Sequence, residues 1–238
     1  MSQGVRPEPQ DRTLNGPAIT TVRVSELFLS LQGEGPSAGV PAHFLRLQGC
    51  SIGCSWCDTK YSWDIAGGRE SEPELLLEEL RALGAAPLLV VTGGEPLEIP
   101  ALVPLLERAL ERWERVEVET AGVLPPPLSQ ERLLWNVSPK LPRSTSRWQR
   151  TWQHTAAWLA EPNATFKIVV GEAPDEADAL RLIEEHAIPA GRVMLMPEGY
   201  TDDELRDRAV ALSEICKLHG FRRSPRLHVW LGGARRGV

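Results

Sequence analysis

Short apolar runs alternate with amphipathic stretches along nearly the whole chain. Between residues 21 and 31, Val22, Val24, Leu27, Leu29 and Leu31 come close to a period of two, which predicts a strand. The run Gln32-Gly33-Glu34-Gly35-Pro36 ends it, and residues 42–47 form a second strand leading straight into a cysteine-rich loop. Residues 73–83 carry Leu75, Leu76, Leu80 and Leu83 on one helical face. Beyond them the pattern predicts strands over 88–91, 116–118, 133–137, 166–170, 193–196 and 227–230. Helices are expected over 101–113, 176–185 and 202–219. Residues 148–160, rich in Trp, read as an amphipathic helix, and residues 1–18 read as a flexible tail of Pro, Gly and polar groups.

Strand–helix–strand order at this spacing implies parallel strands joined by right-handed crossovers. Six or more such units within residues 19–238 predict a single α/β domain, an incomplete TIM-type barrel. No G-x-G-x-x-G follows the first strand, which weakens a dinucleotide-binding sheet. Several buried strands end in polar clusters: Thr92-Gly93-Gly94-Glu95-Pro96, Glu119-Thr120-Ala121-Gly122, Ser138-Pro139-Lys140 and Pro197-Glu198-Gly199. In a parallel barrel these ends share one face, where active sites are built.

Composition narrows the class further. The chain has 238 residues, 42% hydrophobic and 24% charged, with a net charge of −6, which disfavours a broad nucleic-acid surface. No apolar run approaches the roughly 18 residues needed to span a bilayer, and the first residues lack the apolar core of a signal peptide. A cytoplasmic enzyme is the expectation. Of 4 cysteines, three are clustered, so they do not form a disulfide framework. Cys216, in a helical pattern, reads as an inert core residue.

The clustered thiols carry the candidate chemistry. Cys50, Cys54 and Cys57 have the spacing C-x3-C-x2-C, with no fourth cysteine or histidine nearby. A structural zinc site takes four protein ligands. An iron–sulfur cube binds one thiolate per iron, so three cysteines leave one iron open for chemistry.

This motif with Trp56 and a downstream Gly93-Gly94-Glu95-Pro96 resembles the radical S-adenosylmethionine superfamily. More narrowly, Leu31–Gly35, Phe44-Leu45-Arg46, Gly49-Cys50, Cys57-Asp58-Thr59, Thr92–Pro96 and Ser138-Pro139-Lys140 resemble the 7-carboxy-7-deazaguanine synthases. So do the closing Pro225–His228 and Arg235–Val238. The resemblance implies a [4Fe–4S] cluster on Cys50, Cys54 and Cys57, chelating S-adenosylmethionine at its open iron. The substrate would be 6-carboxy-5,6,7,8-tetrahydropterin, contracted to 7-carboxy-7-deazaguanine with loss of ammonia, in 7-deazapurine (queuosine) biosynthesis. It further implies Mg²⁺ on Thr59, an external reductant of flavodoxin or ferredoxin type, and a homodimer.

By the same resemblance, Trp56, Cys57, Asp58, Gly94, Glu95, Ser138, Pro139 and Lys140 contact S-adenosylmethionine, with the amides of Gly93 and Gly94 binding its amino-acid part. Residues near Glu119 and over 196–198 join them. Leu31, Gln32, Gly33, Glu34, Arg46 and Thr92 contact the pterin, Arg46 as a fork for its carboxylate. Plainer roles stand beside these: a helix N-cap for Thr59, a turn for Gly93–Pro96, an internal ion pair for Arg46. Ala121 stands where the family often carries Asn, and Val238 where many members end in Pro. Two other readings remain: an activating enzyme for glycyl-radical proteins, and a zinc-stabilised module without catalysis.

Overall fold

In a computed structural model, which describes residues 21–233 with Arg235 and Gly237, the chain forms one nine-stranded sheet. The tail expected over 1–18, and Val238, lie outside the described residues. In chain order the strands are β1 (Val22–Leu31), β2 (Pro41–Leu47), β3 (Arg69–Ser71), β4 (Leu88–Gly93), β5 (Arg115–Thr120), β6 (Leu133–Val137), β7 (Ala164–Val170), β8 (Val193–Pro197) and β9 (Arg222–Arg223). The helices are α1 (Pro73–Ala82), α2 (Leu102–Leu110), α3 (Thr155–Ala160), α4 (Ala173–Glu185), α5 (Asp202–His219) and α6 (Leu227–Gly232).

The spatial order is β3-β1-β2-β4-β5-β6-β7-β8-β9. Pairing is parallel from β2 through to β9, while β1 runs antiparallel to both β2 and β3. The edges β3 and β9 do not meet, so the barrel is partial, as expected. Period-two alternation sorts the strands into two faces. Leu45, Leu47, Leu89, Val91, Val116, Val118, Val137, Phe166 and Ile168 pack in the main core with Leu76, Leu77 and Leu80 of α1 and Leu102, Leu105, Leu106 and Leu110 of α2. The other face begins with a small apolar group, Ala42, Phe44, Leu88 and Val90, against Phe28. It continues in polar residues: Arg46, Thr92, Glu117, Glu119, Asn136 and Lys167 occupy the same parity on five strands.

Local chemistry explains the element boundaries. Thr201 and Glu204 form a capping box that starts α5, and Gly220 ends it at φ 71°, the left-handed conformation that glycine adopts freely. Helix α4 starts at 173 rather than 176, because Asp175 accepts from the Gly171 and Glu172 amides. Cys216 is buried, as expected.

The apolar face of α1 is Leu76, Leu77 and Leu80, while Leu75 and Leu83, expected to share it, are exposed. Two predicted elements fail as well. Residues 227–230 are the start of α6, not a strand: their short apolar alternation is ambiguous, and the Leu227 amide is used by Gly33 O at 3.0 Å. The Trp-rich stretch is not one helix but a 3₁₀ turn, Trp148–Thr151, followed by α3. Trp158 packs edge-on against Trp135 at 5.2 Å between centroids, and Trp152 stacks on His186 at 5.0 Å. Large rings anchored one by one replaced an amphipathic stripe. Among the described residues, no helix is long and apolar enough to cross a membrane.

Candidate active site

The C-terminal ends of β4–β8, the loop after β1, the cysteine loop and the segment through α6 surround a cavity of about 800 Å³. Every site residue expected from the sequence lines it except Pro139, Pro197 and Glu198.

The backbone fixes the cysteine loop from two sides. Gly93, at φ 132°, and Gly94 press against it so closely that a Cβ would lie 2.2 Å from Leu47 O and 1.8 Å from Gly49 O, respectively. In return the Gly94 and Glu95 amides donate to Leu47 O (3.1 Å) and Gly49 O (2.8 Å). The Gly94 amide, expected to face the amino-acid part of the cofactor, thus bonds to the end of β2. The Glu95 carboxylate is likewise occupied, accepting from Leu97 N (3.1 Å), Ala121 N (2.7 Å) and the Thr120 hydroxyl. Burial pushes its pKa up. On the other side, Thr145 Oγ1 donates to Ile52 O (2.8 Å), Ser55 N to Ser144 O (2.8 Å) and Arg147 to Ser51 O. The Trp-rich segment also holds Lys140, whose amide donates to Thr151 Oγ1 (2.8 Å) and whose carbonyl accepts from Trp152 Nε1 (2.8 Å).

The three cysteines fit a cluster better than a single ion. Among the described residues, no three His, Cys, Asp or Glu groups converge closely enough to hold one metal ion. A cube takes one thiolate per iron and asks for spread donors. The Ile52 amide points at Cys50 Sγ across 3.5 Å. Burial pushes the Cys50 and Cys54 thiols up, and Lys140 opposes this at Cys54. A bound metal would hold them deprotonated. The Thr59 hydroxyl caps no helix; it lines the cavity 3.5 Å from Cys57 Sγ.

At the other end lies an ion network around Glu34. Lys167 of β7 bonds directly to it, Arg226 Nε lies 3.5 Å away, and His228 Nε2 lies 3.7 Å away. Burial alone would raise the pKa of Glu34, but Lys167, His228 and Arg226 hold it well below the usual carboxylate range. Burial works against the charge on Lys167, and Glu34 with Glu119 holds its pKa above the usual value. Glu119 also accepts from Thr92 Oγ1 (2.8 Å) and Gln32 Nε2 (3.1 Å). Gln32, only 2% exposed, is spent within the protein: Nε2 also donates to Glu117 Oε1 (3.2 Å), and Oε1 accepts the Glu34 amide (3.2 Å). Arg46 Nε donates to Glu26 Oε2 (2.8 Å), which also accepts from Tyr61.

Three residues of this network escaped the sequence reading. Lys167 was visible as a lone charge inside the apolar run Phe166–Val170. Arg226 and His228 were noted only in a closing motif, and no local pattern places that segment against Glu34.

A parallel partial barrel whose mouth holds a three-cysteine loop and a Gly-Gly-Glu-Pro turn defines a radical S-adenosylmethionine enzyme. The sequence profile of the radical SAM superfamily matches residues 45–134. The chain is 40% identical over 223 residues to a 7-carboxy-7-deazaguanine synthase of Pyrobaculum aerophilum, covering 92% of this chain and 99% of that one. It is 34% identical to the synthase of Hyperthermus butylicus, covering 88% and 92%. The crystal structure of QueE from Escherichia coli superposes with a TM-score of 0.64 at 28% identity, covering 86% and 93%. The chain belongs to the 7-carboxy-7-deazaguanine synthase family. The activating-enzyme and zinc-module alternatives fall with that assignment.

Proposed function

We propose that this chain is the ring-contracting lyase that converts 6-carboxy-5,6,7,8-tetrahydropterin to 7-carboxy-7-deazaguanine and ammonia, and that the cavity residues divide that work between two ends. Cys50, Cys54 and Cys57 hold a [4Fe–4S] cluster, and Trp56, Asp58, Gly94, Ser138 and Lys140 line the place for S-adenosylmethionine. When bound, cluster and cofactor supply the one-electron cleavage that produces a hydrogen-atom abstractor. The chain itself orients the substrate and keeps water out.

Glu34, held ionised by its cationic neighbours, accepts from the donors of an aminopyrimidinone edge. Arg46 turns its terminal nitrogens to the substrate carboxylate while Glu26 fixes Nε. Gln32 acts indirectly, by placing the Glu34 backbone and the Glu119 carboxylate. The Thr59 hydroxyl suits a Mg²⁺ that keeps several waters and takes the rest of its shell from an anionic substrate. An external reductant of flavodoxin or ferredoxin type, and assembly as a homodimer, belong to the same reading.

The observation that carries it is Arg226, which lies against Glu34 at the pterin end and Asp58 on the cluster loop at once. Anaerobically reconstituted protein, a chemical reductant, S-adenosylmethionine and 6-carboxytetrahydropterin should release carboxydeazaguanine. Formation of 5′-deoxyadenosine alone would overturn the substrate assignment.

A further inference from the structure

Behind Gln32, β5, β6 and the loop after β1 bring together Glu117, Asn136 and Ser37. Glu117 and Asn136 are both 0% exposed. One arm of each is joined: Asn136 Nδ2 donates to Glu117 Oε1 at 3.2 Å, and Gln32 Nε2 donates to the same oxygen at 3.2 Å. Among the described residues the other arms, Glu117 Oε2 and Asn136 Oδ1, are buried and find no hydrogen-bond partner, and the buried Ser37 hydroxyl faces Glu117. Such orphaned acceptors are rare and costly in a protein interior. These two belong to side chains already tied at their other ends, and a single proton satisfies both. A protonated carboxyl has one donor and one acceptor; a primary amide has the complement.

We infer that Glu117 is kept as the neutral carboxylic acid, paired at two points with Asn136, and that this pair is a positioning element for the Gln32 amide. Ser37, the other polar side chain facing Glu117, is a hydroxyl that both donates and accepts, so it can pair with either form of the acid. A Cβ on Gly35, at φ 66°, would lie 2.3 Å from Asn136 Nδ2, so glycine there lets the loop close over the pair. The charge balance agrees. Lys167 and Arg226 face Glu34 and Glu119 in the cavity. An ionised Glu117 would add a third buried carboxylate, beside Glu119. The charged groups facing Glu117 are Glu119 on its own strand and Lys167 from β7, with Glu34 and Arg226 beyond the lysine. The loop presents Gln32 and Ser37, β6 presents Asn136, and β4 presents Val90, all uncharged. Burial, aided by Glu119 and opposed by Ser37, Lys167 and Asn136, pushes the Glu117 pKa up to about 7.

The test uses the full chain without substrate, so it can fail while the proposed function stands. A pH titration followed by infrared difference spectroscopy should show a protonated-carboxyl C=O band that disappears with a midpoint near neutrality and is absent in Glu117→Gln. Glutamine keeps both arms of the pair but cannot ionise. A raised folded-state pKa means that wild type loses stability as pH climbs from the unfolded value through about 7, and Glu117→Gln does not. The melting midpoint of Glu117→Gln should match wild type near pH 5 and exceed it by roughly 5 °C near pH 8. Glu117→Ala, which strands Gln32 and Asn136, should melt lower at every pH. Absence of the band, or a Glu117→Gln protein that melts well below wild type at every pH, overturns the inference by showing that the ionised carboxylate is required. That comparison holds even if Glu117→Ala does not fold.

Discussion

Arg226 Nη2 lies 2.6 Å from Asp58 Oδ2, joining the segment that begins α6 to the residue directly after Cys57. The same guanidinium approaches Glu34 and donates to Gly199 O. One buried side chain thus sets the distance between the cluster loop and the pterin loop. Breaking a hydrogen bond between charged groups costs about 1.5–3 kcal/mol. Arg226→Ala should therefore lower kcat/KM for the pterin by roughly 10–100-fold. It should also raise the ratio of 5′-deoxyadenosine to carboxydeazaguanine, since the cysteine loop keeps its bonds to the Gly94 and Glu95 amides and to Thr145. Arg226→Lys should not restore coupling, because a single ammonium cannot span both carboxylates and a carbonyl. Steady-state assays of both products check this.

The glycine turn makes a different prediction. A Cβ at residue 94 would meet Gly49 O at 1.8 Å and Gly49 C at 2.4 Å, and both atoms belong to backbone that carries the cysteine loop. Gly94→Ala should displace Cys50 before it affects any ligand contact. The expected outcome is iron content well below wild type after identical reconstitution, with loss of the brown absorbance. A normal iron content with only a weakened affinity for S-adenosylmethionine would show that the glycine serves the ligand instead.

The same glycines show how far the sequence could be read. Gly93-Gly94-Glu95-Pro96 marked the right strand end, because small residues at a strand terminus signal close approach. The sequence could not say what approaches, since Gly49 lies on another strand's loop. The parallel strands were legible as solid apolar runs, as was α5 from its Thr201–Glu204 box and closing Gly220. Arg46 was expected to need a partner, but Glu26 sits opposite it only through the β1–β2 register, with a bulge between Val24 and Glu26. Residues 227–230 misled because four alternating residues fit either element, and a tertiary contact to Gly33 decided for helix.

Lys167 is 3% exposed and bonds to Glu34. Glu34 has a depressed pKa in the folded chain, so its stabilisation is full above the unfolded value of 4.5 and is lost as pH falls below it. Lys167→Met removes the partner and leaves buried carboxylates uncompensated, a change that costs about 3–5 kcal/mol near neutral pH. In that variant Glu34 has Arg226 and His228 beside it but has lost its closest cation, so its pKa rises. Stability of Lys167→Met should thus increase as pH drops from about 7 towards 5, a range over which the contribution of Glu34 in wild type stays flat. Urea midpoints across that range for both proteins supply the check.

The Trp-rich segment supports the site from outside. Thr151 Oγ1 accepts the Lys140 amide at 2.8 Å and donates to Trp148 O at 2.6 Å, so one hydroxyl ties the turn to the end of β6. Thr151→Val preserves shape and leaves both groups unpaired, at a cost of about 1–3 kcal/mol for each one that stays buried. Lys140, whose Nζ lies 5.3 Å from the Trp56 ring centroid and 3.0 Å from Ser138 Oγ, would lose its anchor. The variant should melt several degrees below wild type and bind S-adenosylmethionine more weakly, with KM for the pterin little changed, because among the described residues no hydrogen bond or ion pair joins the Glu34 network to this turn. Equal losses for cofactor and pterin would mean that the turn supports the whole barrel mouth rather than its cofactor side.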